Sequence, residues 1–143
     1  MINATPMSRN GPAKILIYDL HALQERFYFS DAVIPLCDTA IPIFQEEIYK
    51  LPNQDKISIA FPDDGALKRY GKMWKKYPLI VCTKIREGEK RIVKIKEGKC
   101  EGRYVIIVDD LVQTGGTLLE CAKAVKAKGA TAVSCACTHA IFP

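Results

Sequence analysis

The residues VIIVDDLVQTGGT (105–117) join two acids to a loop of small residues. Gly115 and Gly116 carry no side chains, so backbone N–H groups there can close around a phosphate at the start of a helix. Thr114 and Thr117 add hydroxyl donors. Asp109 and Asp110 can accept hydrogen bonds from the vicinal hydroxyls of a sugar. The segment is neither a Walker A loop nor a G-x-G-x-x-G fingerprint. The same residues would also make an ordinary strand–turn–helix junction with solvated acids. Further suggestive groups are Asp19 and His21, Asp63 and Asp64, and Lys84 and Arg86. Taken singly, His21 reads as a structural histidine and Asp63 as a turn or cap residue. KIREGEKR (84–91) alone reads as a charged surface hairpin.

The periodicity predicts the elements that position these groups. KILIYD (14–19) and YVIIVDD (104–110) read as buried strands, and ISIAF (57–61), PLIVC (78–82) and ATAVSCAC (130–137) as further strands. Residues 39–51 read as a helix with Ile41, Phe44, Ile48 and Leu51 on one face, capped by Asp38 or Thr39. Residues 66–77 read as a basic helix. Residues 117–128 read as a helix opened by a Thr117–Glu120 capping box and closed by Gly129. Residues 84–101 combine a turn with an alternating stretch and predict a projecting basic β-hairpin. Strands alternating with helices imply an α/β fold with a mainly parallel sheet. Ligands bind such sheets beyond the carboxyl ends of the strands, where all the suggestive groups fall.

The 143 residues are one domain's worth, 48% hydrophobic and 26% charged, as in globular chains. The net charge of +5 excludes a strongly acidic solvating protein. Residues 65–104 hold 13 of the 21 basic residues and only four acids. That concentration predicts either an anionic ligand or a solvated lysine-rich face. The six cysteines show no metal-ligand spacing and several sit in apolar runs, so they read as free buried thiols of a reducing, cytoplasmic setting. No apolar run reaches the roughly 18 residues of a membrane span, and the amino terminus lacks the apolar core of a signal peptide. Neither a membrane nor nucleic acid is an expected partner.

The 105–117 segment resembles the phosphoribosyl-pyrophosphate loop of type I phosphoribosyltransferases and ribose-phosphate diphosphokinases. YDLHALQERFYF (18–29) is similar to the diphosphokinases' metal-binding signature. FPDDGALKRYG (61–71) is similar to their Pro-Asp-x-Gly segment followed by a basic residue. QERFYF, FPDDGALKR and DDLVQTGGT resemble the plant-type branch. The resemblance implies a three-layer phosphoribosyltransferase-like domain over residues 14–143, after a loose segment at 1–13. It implies Mg2+ at two positions, one held by His21 on the ATP side and a second by Asp63, and Lys84 and Arg86 as the basic pair of a catalytic loop. It implies ribose-phosphate binding by Asp109, Asp110, Gln113, Thr114, Gly115, Gly116 and Thr117. Gln113 stands where the more familiar form has a third acid, and glutamine cannot act as a base.

The implied reaction transfers the diphosphoryl group of ATP to ribose 5-phosphate, giving phosphoribosyl pyrophosphate and AMP. Family synthetases are about twice this length and consist of two related α/β halves. The chain matches the second, and the first supplies much of the nucleotide pocket. A homo-oligomer or association with a synthetase partner is therefore expected. A non-catalytic sugar-phosphate-binding or regulatory subunit is the alternative. A phosphoribosyltransferase is a third reading, although it has no evident use for DLHALQERF.

Overall fold

The fold is described by a computed structural model for residues 5–87 and 90–142, apart from the side chains of 86–91. The chain divides into two compact units, residues 1–42 and 43–143.

In the first unit, β1 (Ala13–Tyr18) and β2 (Val33–Asp38) form a two-stranded parallel sheet. A 3-10 helix over Leu23–Tyr28 lies between them in sequence. Asp19 follows β1 with φ of 47°, a conformation that Asp tolerates better than most residues. Its buried carboxylate accepts from the Thr39 hydroxyl at 2.6 Å and the Ala40 N–H at 2.9 Å. Asp19 thereby holds the chain leaving β2 against the end of β1. Helix α1 (Ile41–Tyr49) starts at the unit boundary. The Thr39 hydroxyl accepts from the Ile41 N–H at 3.2 Å, so it serves the start of this helix as expected.

The second unit carries a five-stranded sheet in the order β5-β4-β3-β6-β7. Its strands are β3 (Ile57–Phe61), β4 (Leu79–Glu87), β5 (Lys90–Glu97), β6 (Tyr104–Val112) and β7 (Ala132–Ala140). Pairs β3–β4, β3–β6 and β6–β7 are parallel. Only β4–β5 is antiparallel, so the mainly parallel α/β fold stands. The 84–101 stretch does pair as two antiparallel strands, with Lys84 opposite Val93. Its turn at 88–89 lies outside the described residues.

The core is built on β3, which is buried at every position. A strand flanked on both sides and covered on both faces reads as a continuous apolar run, and ISIAF is one. Ala60, Ile80, Cys82, Val105 and Ile107 form one apolar cluster with Cys121 and Val125 of helix α3 (Gly116–Ala127). By the two-residue alternation of strands, Ile57, Ile59, Phe61, Ile106 and Val108 point to the other face, and all are buried. Helix α2 (Asp64–Tyr70) packs on β3, β4 and β6, and a 3-10 turn over Gly71–Trp74 extends it. Trp74 is fully buried, and its ring lies 6.0 Å from that of Tyr77. Arg103 joins the starts of β6 and β3, donating to the Ser58 hydroxyl and to the carbonyls of Ile57 at 2.8 Å and Asp55 at 2.9 Å.

Several expectations need correction. Strand β2 was not anticipated. Strand β6 runs on to Val112, so Asp109 and Asp110 lie inside it rather than ending it. Strand β7 runs through Thr138 and His139. No Thr117–Glu120 capping box forms: the N-cap of α3 is Gly115, without a side-chain bond, and Glu120 pairs with Lys123 at 2.7 Å. Cys135 is exposed, because β7 is an edge strand.

Candidate functional site

The carboxyl ends of β3, β4 and β6 lie on one edge of the sheet, as parallel pairing requires. Two side chains there are linked, Asp63 and Lys84. Asp63 caps α2, accepting from the Ala66 N–H at 3.0 Å. Its other oxygen lies 3.3 Å from Lys84 Nζ. Partial burial pushes the Asp63 carboxyl up, but the Ala66 N–H, the Lys84 ammonium and the Gly65 N–H outweigh burial and leave its pKa below the ordinary value. Asp63 is therefore ionised at neutral pH. Both partners of this pair are nearly half exposed, so it is weak and open to exchange for a ligand.

Asp109 and Asp110 differ sharply. Burial pushes the Asp109 carboxyl up to about 6, and the neighbouring Asp110 and Asp63 charges add to the rise. The Asp110 N–H, at 3.0 Å from Asp109 Oδ1, works against it. Asp110 is 1% exposed and forms an ion pair with Arg69, in the last turn of α2. Arg69 was not singled out from the sequence, although it is one of the two basic residues of FPDDGALKRYG. It ties α2 to β6 two residues before the strand ends.

Gly115 adopts φ of 79°, which glycine enters at no steric cost. This turn lets the chain pass from β6 into α3 within three residues of Val112. The first intrahelical bond runs from the Leu119 N–H to the Gly115 carbonyl at 2.9 Å. Helix geometry therefore leaves the N–H groups of Gly116, Thr117 and Leu118 without intrahelical acceptors. A cavity of about 400 Å³ opens beside them. Thr114, Gly116, Thr117 and Glu120 line one side, and Lys84, Ile92 and Val93 the other.

The structure thus brings Lys84 together with Asp63 and with Thr114, Gly116 and Thr117. Asp109, Asp110, Gln113 and Gly115 do not line the cavity. Gln113 is exposed, and its carbonyl accepts from the Phe142 N–H at 3.0 Å. Arg86 lies on β4 opposite Arg91, and its side chain is outside the described residues. His21 is exposed in the first unit, whereas the other expected site residues belong to the second. Among the described residues no three His, Cys, Asp or Glu side chains converge on a possible metal position.

A loop of this form at the edge of a mainly parallel sheet defines a class. Residues 22–140 match the phosphoribosyl transferase domain family, and the chain belongs to it. Its relatives are narrower in kind. The chain is 57% identical to ribose-phosphate pyrophosphokinase 4 of Oryza sativa subsp. japonica, over all of this chain and 44% of that protein. It is 54% identical to the chloroplastic ribose-phosphate pyrophosphokinase 3 of Arabidopsis thaliana, over all of this chain and 35% of that one. The chain therefore spans less than half the length of these relatives, which are named as enzymes. The fold resembles the crystal structure of phosphoribosylpyrophosphate synthetase from Mycobacterium smegmatis, with a TM-score of 0.69 and 24% identity over 89% of this chain and 41% of that one. Among the described residues no helix is long and apolar enough to cross a membrane.

Proposed function

We propose that the chain is the ribose-phosphate-binding part of a ribose-phosphate diphosphokinase. The observation that carries this reading is the cavity that sets Lys84 against Thr114, Gly116 and Thr117. The open N–H groups of α3 and the two hydroxyls receive the 5-phosphate of ribose 5-phosphate. Asp109, with Asp110 held by Arg69 behind it, accepts from the sugar hydroxyls. The anomeric hydroxyl oxygen attacks the β-phosphorus of ATP. The bond from that phosphorus to the α–β bridging oxygen breaks, and AMP leaves. Negative charge gathers on the phosphate oxygens as this happens, and Lys84, with Arg86 beside it in sequence, neutralises it.

Mg2+ fits the residues present in one respect. Asp63 is an ionised, half-exposed oxygen donor next to the cavity's lysine. Magnesium is commonly held by one or two carboxylates together with substrate phosphates, so a sparse protein donor set suits it. Asp63 would hold an ion, and His21 is the position the resemblance implies for a separate one. The ion, when bound, screens phosphate charge. The ordinary role of Asp63 as the cap of α2 coexists with this one, because the two carboxylate oxygens are separately engaged.

The test is release of AMP from ATP and ribose 5-phosphate by the purified chain with Mg2+. The reading predicts release, by the chain alone or after addition of the remaining length of its relatives' fold. In the active preparation, Lys84→Ala should lower the rate by roughly 10²–10³. Unchanged turnover in that variant would remove Lys84 from the mechanism. The alternative reading is a non-catalytic sugar-phosphate-binding subunit of a complete synthetase. That reading predicts ribose 5-phosphate binding without AMP release under either condition.

A further inference from the structure

Cys82 of β4 and Cys121 of α3 place their sulfurs 3.1 Å apart. Both are free thiols and fully buried. They sit in the apolar cluster that seats α3 on the sheet, among Ile80, Val93, Ile107 and Val125. The proposed reaction uses neither. A disulfide needs the sulfurs at about 2.05 Å, so closure asks for roughly 1 Å of movement, within reach of side-chain rotation. No loop must be ordered first, because the strand and helix already hold the two groups together.

We propose that Cys82 and Cys121 are a dithiol that closes to a reversible intramolecular disulfide when the protein meets a peroxide, stapling α3 to β4. Either sulfur can donate the hydrogen bond between them, and that bond favours ionisation of the accepting thiol. With Cys82 as the acceptor, Cys82 is the first nucleophile. Its sulfur attacks one oxygen of hydrogen peroxide, the O–O bond breaks, and water leaves a sulfenic acid. The Cys121 sulfur then attacks the sulfenic sulfur, the S–O bond breaks, and the departing hydroxide takes the Cys121 proton. Two thiols and one hydrogen peroxide become one disulfide and two waters, and a dithiol reductant reverses the bond. The bond would join the two walls of the cavity. Lys84 lies two residues beyond Cys82, and Gly116 and Thr117 lie one turn before Cys121 on α3.

The experiment uses the chain with Cys37, Cys135 and Cys137 replaced by serine, which leaves the three buried thiols. Hydrogen peroxide is added under native conditions and then removed. Thiols are counted in denaturant, and peptides are mapped by mass. The expected result is a fall from three thiols to one and a peptide pair joined through Cys82 and Cys121, lost on treatment with dithiothreitol. Cys121→Ala, checked for folding by circular dichroism, should keep both remaining thiols free of any crosslink. Cys82→Ala is the second variant should the first not fold. Three surviving thiols, a crosslink through Cys100, a link between two molecules, or irreversible sulfinic acid at Cys82 would each overturn the proposal.

Discussion

Adjacent residues of identical type hold opposite electrostatic positions in this chain. Asp110 faces a guanidinium in the interior, whereas Asp109 is half-buried beside two further carboxylates. The pKa of Asp109 is raised, so the folded state binds its proton more tightly than the unfolded chain does. Its contribution is favourable to folding below about pH 4 relative to neutral pH, and that advantage is lost as pH rises towards 6. Asp109→Asn should therefore stabilise the protein at pH 7–8 by about 1–2 kcal/mol, discounted for the solvent that still reaches the group. The gain should vanish below about pH 4, which urea denaturation at the two pH values would show. A stabilisation equal at both would point to a cause other than ionisation. Arg69→Ala removes the cation that faces buried Asp110 and should cost about 2–3 kcal/mol, somewhat less than for a fully buried pair because Arg69 is 33% exposed. Equilibrium unfolding measures this loss, and no loss would mean that Asp110 is held by other groups. The residue types showed in the sequence that both acids were candidates. Which one is spent on a partner depends on Arg69, 41 positions away, and no local pattern carries that.

The elements were legible where their cause is local and obscure where it is tertiary. ISIAF and YVIIVDD read as strands because both of their faces are covered. Strand β2 contains Pro35, which breaks the usual strand signal. In a two-stranded sheet each strand has one unpaired edge, and a residue without an N–H is tolerated there. The Thr117–Glu120 spacing suggested a capping box, yet Gly115 starts the helix by turning the backbone instead. The consequence is functional in direction, since an uncapped first turn keeps its N–H groups available. Gly115→Ala should destabilise the protein by about 1–2 kcal/mol through backbone strain alone. The added Cβ would meet only the Phe142 ring, at an ordinary 3.8 Å. An unfolding midpoint equal to the wild type would contradict the left-handed turn.

Across the whole molecule, part of the charge excess of residues 65–104 is used by the fold itself. Arg69, Lys96 and Arg103 are engaged with Asp110, Asp64 and backbone carbonyls, and hold strands and helices together. Lys84 pairs with Asp63, is half exposed and lines the cavity, and the proposed anion site rests on it. The sequence could show that positive charge was concentrated, but the partners that absorb part of it come from the fold. The most direct measurement of the central claim is titration of ribose 5-phosphate into the chain by calorimetry, beside Thr114→Ala/Thr117→Ala. Thr114 lies in the loop and Thr117 in the first turn of α3, and neither belongs to a buried ion pair, so folding should survive their loss. The account predicts saturable binding to the wild-type chain, weakened at least about tenfold in the double variant as two hydroxyl contacts to a charged group disappear. Equal affinity in the two proteins, or no binding to the wild type, would contradict it.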